Sequence, residues 1–248
     1  MIEQADADGI AVVRLAHGKV NALDVELLRE ITAVFTGLAA SAHPAVVLTG
    51  TGRSFSAGVD LWRVIDGGAG YVEAFLPALS DALLAVLTLE KPVVAAVNGH
   101  AIAGGAVLAC AADHRVMADS GGRIGVTELL VGVPFPPAAL EIVRWSLGAS
   151  RARSAVLSGR TFGPAEAVTA GFADQVVAGS DLLTAALAAA HQLAAIPADT
   201  FHLTKRQLLL PLHDRLDQDR PAYDEQARAL WTRAVADGRL RRFMESLR

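Results

Sequence analysis

The chain has 248 residues, 52% of them hydrophobic and 19% charged, with a formal net charge of −4 and a mean hydropathy of +0.38. That is enough apolar material for a large buried core, and it excludes a wholly disordered chain and a globally basic nucleic-acid binder. The single cysteine, Cys110, excludes an internal disulfide, and no Cys/His spacing suits a metal. The acidic start MIEQADADGI reads against a secretory signal, and apolar runs break before the ~20 residues of a membrane span. A soluble cytoplasmic protein is therefore expected.

In chain order, Ile10–Leu15 is an apolar run with β-branched residues and is predicted as a strand. Leu23, Leu27, Ile31, Val34, Phe35 and Leu38 recur at helical spacing, so a helix is expected over Leu23–Leu38. Ala45–Thr49 and Val93–Val97 resemble buried parallel strands, with a helix over Tyr71–Leu89 between them. Asn98-Gly99 turns the chain, and Gly104-Gly105 opens an Ala-rich helix through Ala112. This alternation predicts an α/β core. Beyond Pro137 the pattern is helical over Ala138–Leu147, Ser150–Leu157, Pro164–Ala170, Leu182–Ile196, Thr200–Leu210 and Ala222–Ala236. We expect an α/β core over residues 1–195 and a helical oligomerisation region over 196–248. Residues 201–248 carry ten basic against seven acidic side chains, which reads chiefly as a solvated helix surface.

Several motifs fail on inspection. Thr49-Gly50-Thr51-Gly52 lacks the third glycine of a dinucleotide fingerprint, and Ser56 in SFSAG lacks the upstream glycine of a nucleophile elbow. The seven histidines are scattered, with no i,i+4 pair. Two glycine-containing segments remain, RSFSAGVDLW at 53–62 and NGHAIAGGAVLAC at 98–110, each following a strand. Such turns bring the backbone close to a ligand with amides pointing outward, and two of them can hold one carbonyl oxygen.

Taken together, these segments resemble the crotonase (enoyl-CoA hydratase/isomerase) superfamily. The likeness runs through GKVNALD at 18–24, FSAGVDL at 55–61, KPVVAAVNGHAIAGG at 91–105 and Asp113-His114-Arg115. It continues in IGVTELLVGVP at 124–134, SGRTFGPAEAVTAGFADQVV at 158–177 and DGRLRRF at 237–243. The resemblance implies a spiral of ββα units whose C-terminal helices build a trimer or a dimer of trimers, and an acyl-CoA thioester as ligand. It requires no separate cofactor, because coenzyme A is part of the substrate. It assigns the oxyanion-hole amides to Val59 and Gly104, and substrate contacts to Ala57, Asp60, Leu61, Trp62 and, from its own chain or a neighbour's, Phe243.

Hydratases of the family use two glutamates. The resemblance puts the first at Val107, which cannot exchange protons, and the second at Glu128. Hydration positions water and protonates carbon, whereas a 1,3-allylic shift needs one base that removes the C2 proton and returns it at C4. The single-Glu pattern is similar to that of 3,2-enoyl-CoA isomerases. The alternatives are a hydratase working with Glu128 alone and a non-catalytic acyl-CoA-binding protein. One departure stands out: where many relatives carry a Gly-rich stretch, this chain has PFPPAALEIVR from Pro134, which predicts a reshaped acyl pocket. The position that is acidic in dienoyl-CoA isomerases is Pro136, and Glu141 is expected to be a surface or structural carboxylate.

Overall fold

The computed structural model describes residues 1–247. The chain starts with an antiparallel pair, β1 (Ile2–Ala7) and β2 (Ile10–Leu15). Their two-residue connection is Asp8-Gly9, both at positive φ, the geometry that matches a hairpin to the strand twist. Helix α1 (Val25–Ala39) follows, with the Asp24 carboxylate accepting the Leu27 N–H at 2.8 Å as an N-cap.

Three ββα units come next. They are β3 (Val46–Gly50), β4 (Ser54–Ser56) and α2 (Leu61–Leu87); β5 (Val93–Val97), β6 (His100–Ile102) and α3 (Gly104–Cys110); and β7 (His114–Ala118), β8 (Ile124–Gly125) and α4 (Glu128–Val131). The first strand of each unit enters a six-stranded sheet of order β1-β2-β3-β5-β7-β9, and the second enters a parallel three-stranded sheet of order β4-β6-β8. Then come α5 (Pro137–Ser158), α6 (Pro164–Ala170), β9 (Gln175–Val177), a 3-10 turn at Gly179–Asp181, α7 (Leu182–Ala194), α8 (Ala198–Ala236) and α9 (Arg239–Ser246). Beyond the β1–β2 pair, the large sheet is parallel.

The period-2 alternation of a strand divides the core between the two faces of the large sheet. Val13, Leu15, Val46 and Leu48 face α1 and α2, while Val12, Val47, Val94 and Ala96 pack against the small residues Ala186 and Ala190 of α7. The three strands foreseen in the sequence are β2, β3 and β5. The short second-sheet strands are two or three residues long, too brief for a periodic signal.

The helices also depart from expectation. The helix predicted over Tyr71–Leu89 begins at Leu61 and turns at Gly68, whose φ of 63° and ψ of −153° are open to glycine. At 27 residues α2 is long and on average apolar enough to cross a bilayer, yet its apolar runs are broken by Arg63, Asp66, Glu73 and Asp81, and more than half of its apolar stretch is buried inside the fold. Ala138–Leu147 and Ser150–Leu157 are two limbs of α5 joined at Gly148, and Thr200–Leu210 and Ala222–Ala236 belong to the single helix α8. Pro211 and Pro221 sit inside α8, where each removes one backbone donor.

Ion pairs with one buried member each fasten α8 to the core. Lys205 Nζ lies 2.8 Å from Asp113 Oδ2, which also accepts the Val93 N–H at the head of β5. Burial pushes the Asp113 carboxyl up and the Lys205 ammonium down, against their mutual attraction. Glu141, expected at the surface or in a structural role, is structural and buried: it pairs with Arg144 on its own helix and with Arg215 of α8.

Candidate active site

In each unit the small-sheet strand runs into the N-terminus of the next helix. Parallel pairing of β4, β6 and β8 therefore sets the starts of α2, α3 and α4 along one edge. Ligands gather at the carboxyl ends of parallel strands because helix amides point there.

The first of these turns is held by Asn21, fully buried and at a φ of 52°. Its Nδ2 donates to the carbonyls of Ser54 (3.0 Å) and Phe55 (3.2 Å), and its Oδ1 accepts the His17 N–H at 2.9 Å. The Ser56 hydroxyl donates to the Asn21 carbonyl at 2.7 Å and accepts the Gly58 N–H. Leu23 N–H donates to the Gly58 carbonyl, and Asp60 N–H donates to the Leu23 carbonyl. Both neighbours of Val59 thus face Leu23, and strand alternation turns the Val59 N–H to the opposite side.

On that side lies the second turn. Gly58, at a φ of 83°, packs so closely on β6 that a Cβ there would sit 2.5 Å from the Ile102 carbonyl and 3.3 Å from the Gly104 nitrogen. A Cβ on Gly104 would in turn lie 3.7 Å from Val59 Cγ2. Gly104 is the first residue of α3, so its N–H has no intrahelical acceptor. Among the described residues neither the Val59 nor the Gly104 N–H finds a partner. Ala103, which precedes it, has a φ of 50° and ψ of −123°, a conformation that costs a non-glycine residue about 1–3 kcal/mol. Strain of this kind concentrates where backbone groups are aimed at a ligand.

The third turn carries Glu128, the first residue of α4, which ends in a left-handed Gly132. Arg239 of α9 donates to the Gly132 carbonyl at 2.8 Å. The Glu128 carboxylate is 6% exposed, and its Oε2 has no hydrogen-bond partner. Burial pushes its pKa up from 4.5 to about 8, opposed only by the backbone amides of Glu128 and Thr127.

These parts meet in a cavity of about 630 Å³. Its walls include Ala57, Val59, Asp60, Leu61, Trp62, Glu128 and Phe243, so seven of the eight residues expected at the site line one space; Gly104 lies against Val59 and follows the wall residue Ala103. Phe243 reaches the cavity of its own chain. The Arg241 guanidinium lies 5.8 Å from the Trp62 ring centre, while Arg242 caps the Asp237 carbonyl. The Asp60 carboxylate accepts the Arg63 N–H as the cap of α2. Val107 is fully buried in α3 and is not part of the cavity wall.

Val20, Ala22, Val131, Val133, Met244, Leu247 and Trp231 also line the space and were not foreseen. Trp231 is the instructive omission. It shares the buried side of the C-terminal half of α8 with Ala227 and Ala234, a spacing that marks a buried stripe but not what that stripe encloses.

Chemically, the site offers two unpaired amides for an anionic oxygen and one desolvated carboxyl group for proton transfer. Comparison with known proteins identifies the family. Residues 5–246 match the enoyl-CoA hydratase/isomerase family. A probable enoyl-CoA hydratase of Mycolicibacterium paratuberculosis is 34% identical over 227 residues, covering 88% of this chain and 86% of that one. The mitochondrial enoyl-CoA delta isomerase 1 of Mus musculus is 30% identical over 225 residues, covering 90% and 78%. The crystal structure of human mitochondrial delta3-delta2-enoyl-CoA isomerase superposes with a TM-score of 0.93 at 27% identity, covering 99% of this chain and 97% of that one. The chain is therefore an enzyme of the enoyl-CoA hydratase/isomerase family, with the crotonase fold.

Proposed function

We propose that the protein is a 3,2-enoyl-CoA isomerase in which Glu128 carries the proton between C2 and C4 of an acyl-CoA thioester. The ionised Glu128 removes the C2 proton of a 3-enoyl thioester. The electron pair moves onto the thioester oxygen, where the Val59 and Gly104 N–H groups hold the dienolate; preorganised donors of this type are worth about 3 kcal/mol each. Protonated Glu128 then returns the proton at C4, the double bond comes to rest between C2 and C3, and the carboxylate is regenerated. Nothing is consumed but the isomer.

One observation carries this reading: Glu128 Oε2 is a solitary, unpartnered carboxylate oxygen on an apolar cavity, with Val107 where the family resemblance puts the first of a hydratase's two glutamates. Water addition needs one group to orient and deprotonate the water and another to protonate carbon. Asp60, the other carboxylate on the wall, is engaged as a helix cap. We further propose a trimer or dimer of trimers, supported by Leu203, Leu208, Leu210 and Tyr223 standing exposed on α8.

The test is incubation with 3-enoyl-CoA and, separately, 2-enoyl-CoA, with products resolved by chromatography. Isomerisation of the first without 3-hydroxyacyl-CoA from the second is expected. The reverse result makes the protein a hydratase that works with Glu128 alone.

A further inference from the structure

We propose that Trp231 is the end wall of the acyl channel and restricts this enzyme to unfunctionalised hydrocarbon acyl chains below a sharp length limit. The proposal rests on the acyl-CoA reading given above.

Trp231 comes from α8, far in sequence from the catalytic turns, yet it lines the same cavity as Glu128. It is 1% exposed, so almost all of the indole is enclosed. Behind it stands Phe75 of α2, fully buried, with ring centres 6.1 Å apart; Phe75 does not reach the cavity. The indole is therefore the layer between channel and core. Leu130 and Leu247, 60% and 67% exposed, belong by contrast to the part of the wall that opens to solvent.

The wall is also fixed in place. Trp231 Nε1–H donates to the Pro134 carbonyl at 2.9 Å. Pro134 opens a segment in which Pro136 and Pro137 lock φ and supply no N–H, so its carbonyl position is set by a stiff backbone. The same bond uses up the one polar group of the indole. The other walls of the cavity include the apolar Val131, Val133, Phe243 and Met244. A hydroxyl or carboxylate on the far end of the acyl chain would lose its water and find no partner there.

The experiment measures dissociation constants of saturated acyl-CoA thioesters of graded length against wild type, Trp231→Ala, Trp231→Phe and Val133→Phe by calorimetry. Binding does not require turnover. Wild type is expected to gain about fourfold in affinity per methylene up to a break, and nothing or a loss beyond it. Trp231→Ala shifts the break to longer chains, Val133→Phe shifts it to shorter ones, and Trp231→Phe, which keeps a ring in place, leaves it within reach of the wild-type position. Chains ending in a hydroxyl or carboxylate bind more weakly than hydrocarbons of equal length.

A Trp231→Ala protein with wild-type circular dichroism and an unmoved break overturns the proposal, as does equal or tighter binding of the oxygenated chains. If Trp231→Ala does not fold, Val133→Phe decides, and an unmoved break there is equally fatal. A clear length limit in a protein that does not isomerise 3-enoyl-CoA refutes the isomerase reading and leaves the wall standing.

Discussion

Glu128→Gln separates the function of the buried carboxyl group from its cost to the fold. With a pKa of 4.5 unfolded and about 8 folded, the group binds its proton more tightly in the native state. Stability is then highest below the unfolded value and declines as pH rises towards the folded one, by about 1.4 kcal/mol per unit in between. Between pH 5.5 and 7.5 the wild type should lose about 2.5 kcal/mol relative to a variant that cannot ionise there. Glutamine keeps the shape and a neutral amide, so the loss should vanish in Glu128→Gln. For a chain of this size the difference amounts to about 5–10 °C in relative melting temperature across that pH range. Denaturant or thermal unfolding at a series of pH values measures it. Activity should move the other way: isomerisation falls about 10²–10⁴-fold in Glu128→Gln. Wild-type kcat/KM should rise roughly tenfold per pH unit up to a plateau near pH 8, as the free enzyme's base ionises. Parallel stability–pH curves for the two proteins, or undiminished turnover by the variant, would refute the reasoning.

Gly104→Pro removes the N–H that we assign to the oxyanion hole, so kcat should fall about 10²–10³-fold, measured with 3-enoyl-CoA. Ala103→Gly releases the positive-φ strain and should stabilise the protein by up to about 1 kcal/mol in denaturant titration with activity retained. Asn21→Ala removes the amide that bonds the Phe55 carbonyl and the His17 N–H and leaves the Ser54 carbonyl to Asn98 alone; a loss of about 1–3 kcal/mol is expected, with a raised KM as the first turn loosens. Lys205→Ala removes the cation paired with the partly exposed Asp113 and should cost about 1–2 kcal/mol, seen as early unfolding of α8 by hydrogen exchange.

The amino-acid sequence by itself determined the elements with strong periodicity and the turns with special chemistry. The apolar stripe of α1 and the runs that form β2, β3 and β5 are local patterns, and folding leaves them as read. The turns that bring Val59, Gly104 and Glu128 together were legible because they carry glycines and a lone acid at spacings similar to a known family. Tertiary structure decided what depends on distant segments meeting. The two- and three-residue strands β4, β6 and β8 exist only because each pairs with its neighbour, and their register is what aligns three helix starts at one edge. The burial of Glu141 depends on Arg215, and that of Trp231 on the Pro134 carbonyl 97 residues away. The raised pKa of Glu128 is likewise a property of its surroundings, since desolvation requires walls brought by α8 and α9. Periodicity reports which side of a helix is buried; what it is buried against is fixed only when the chain closes.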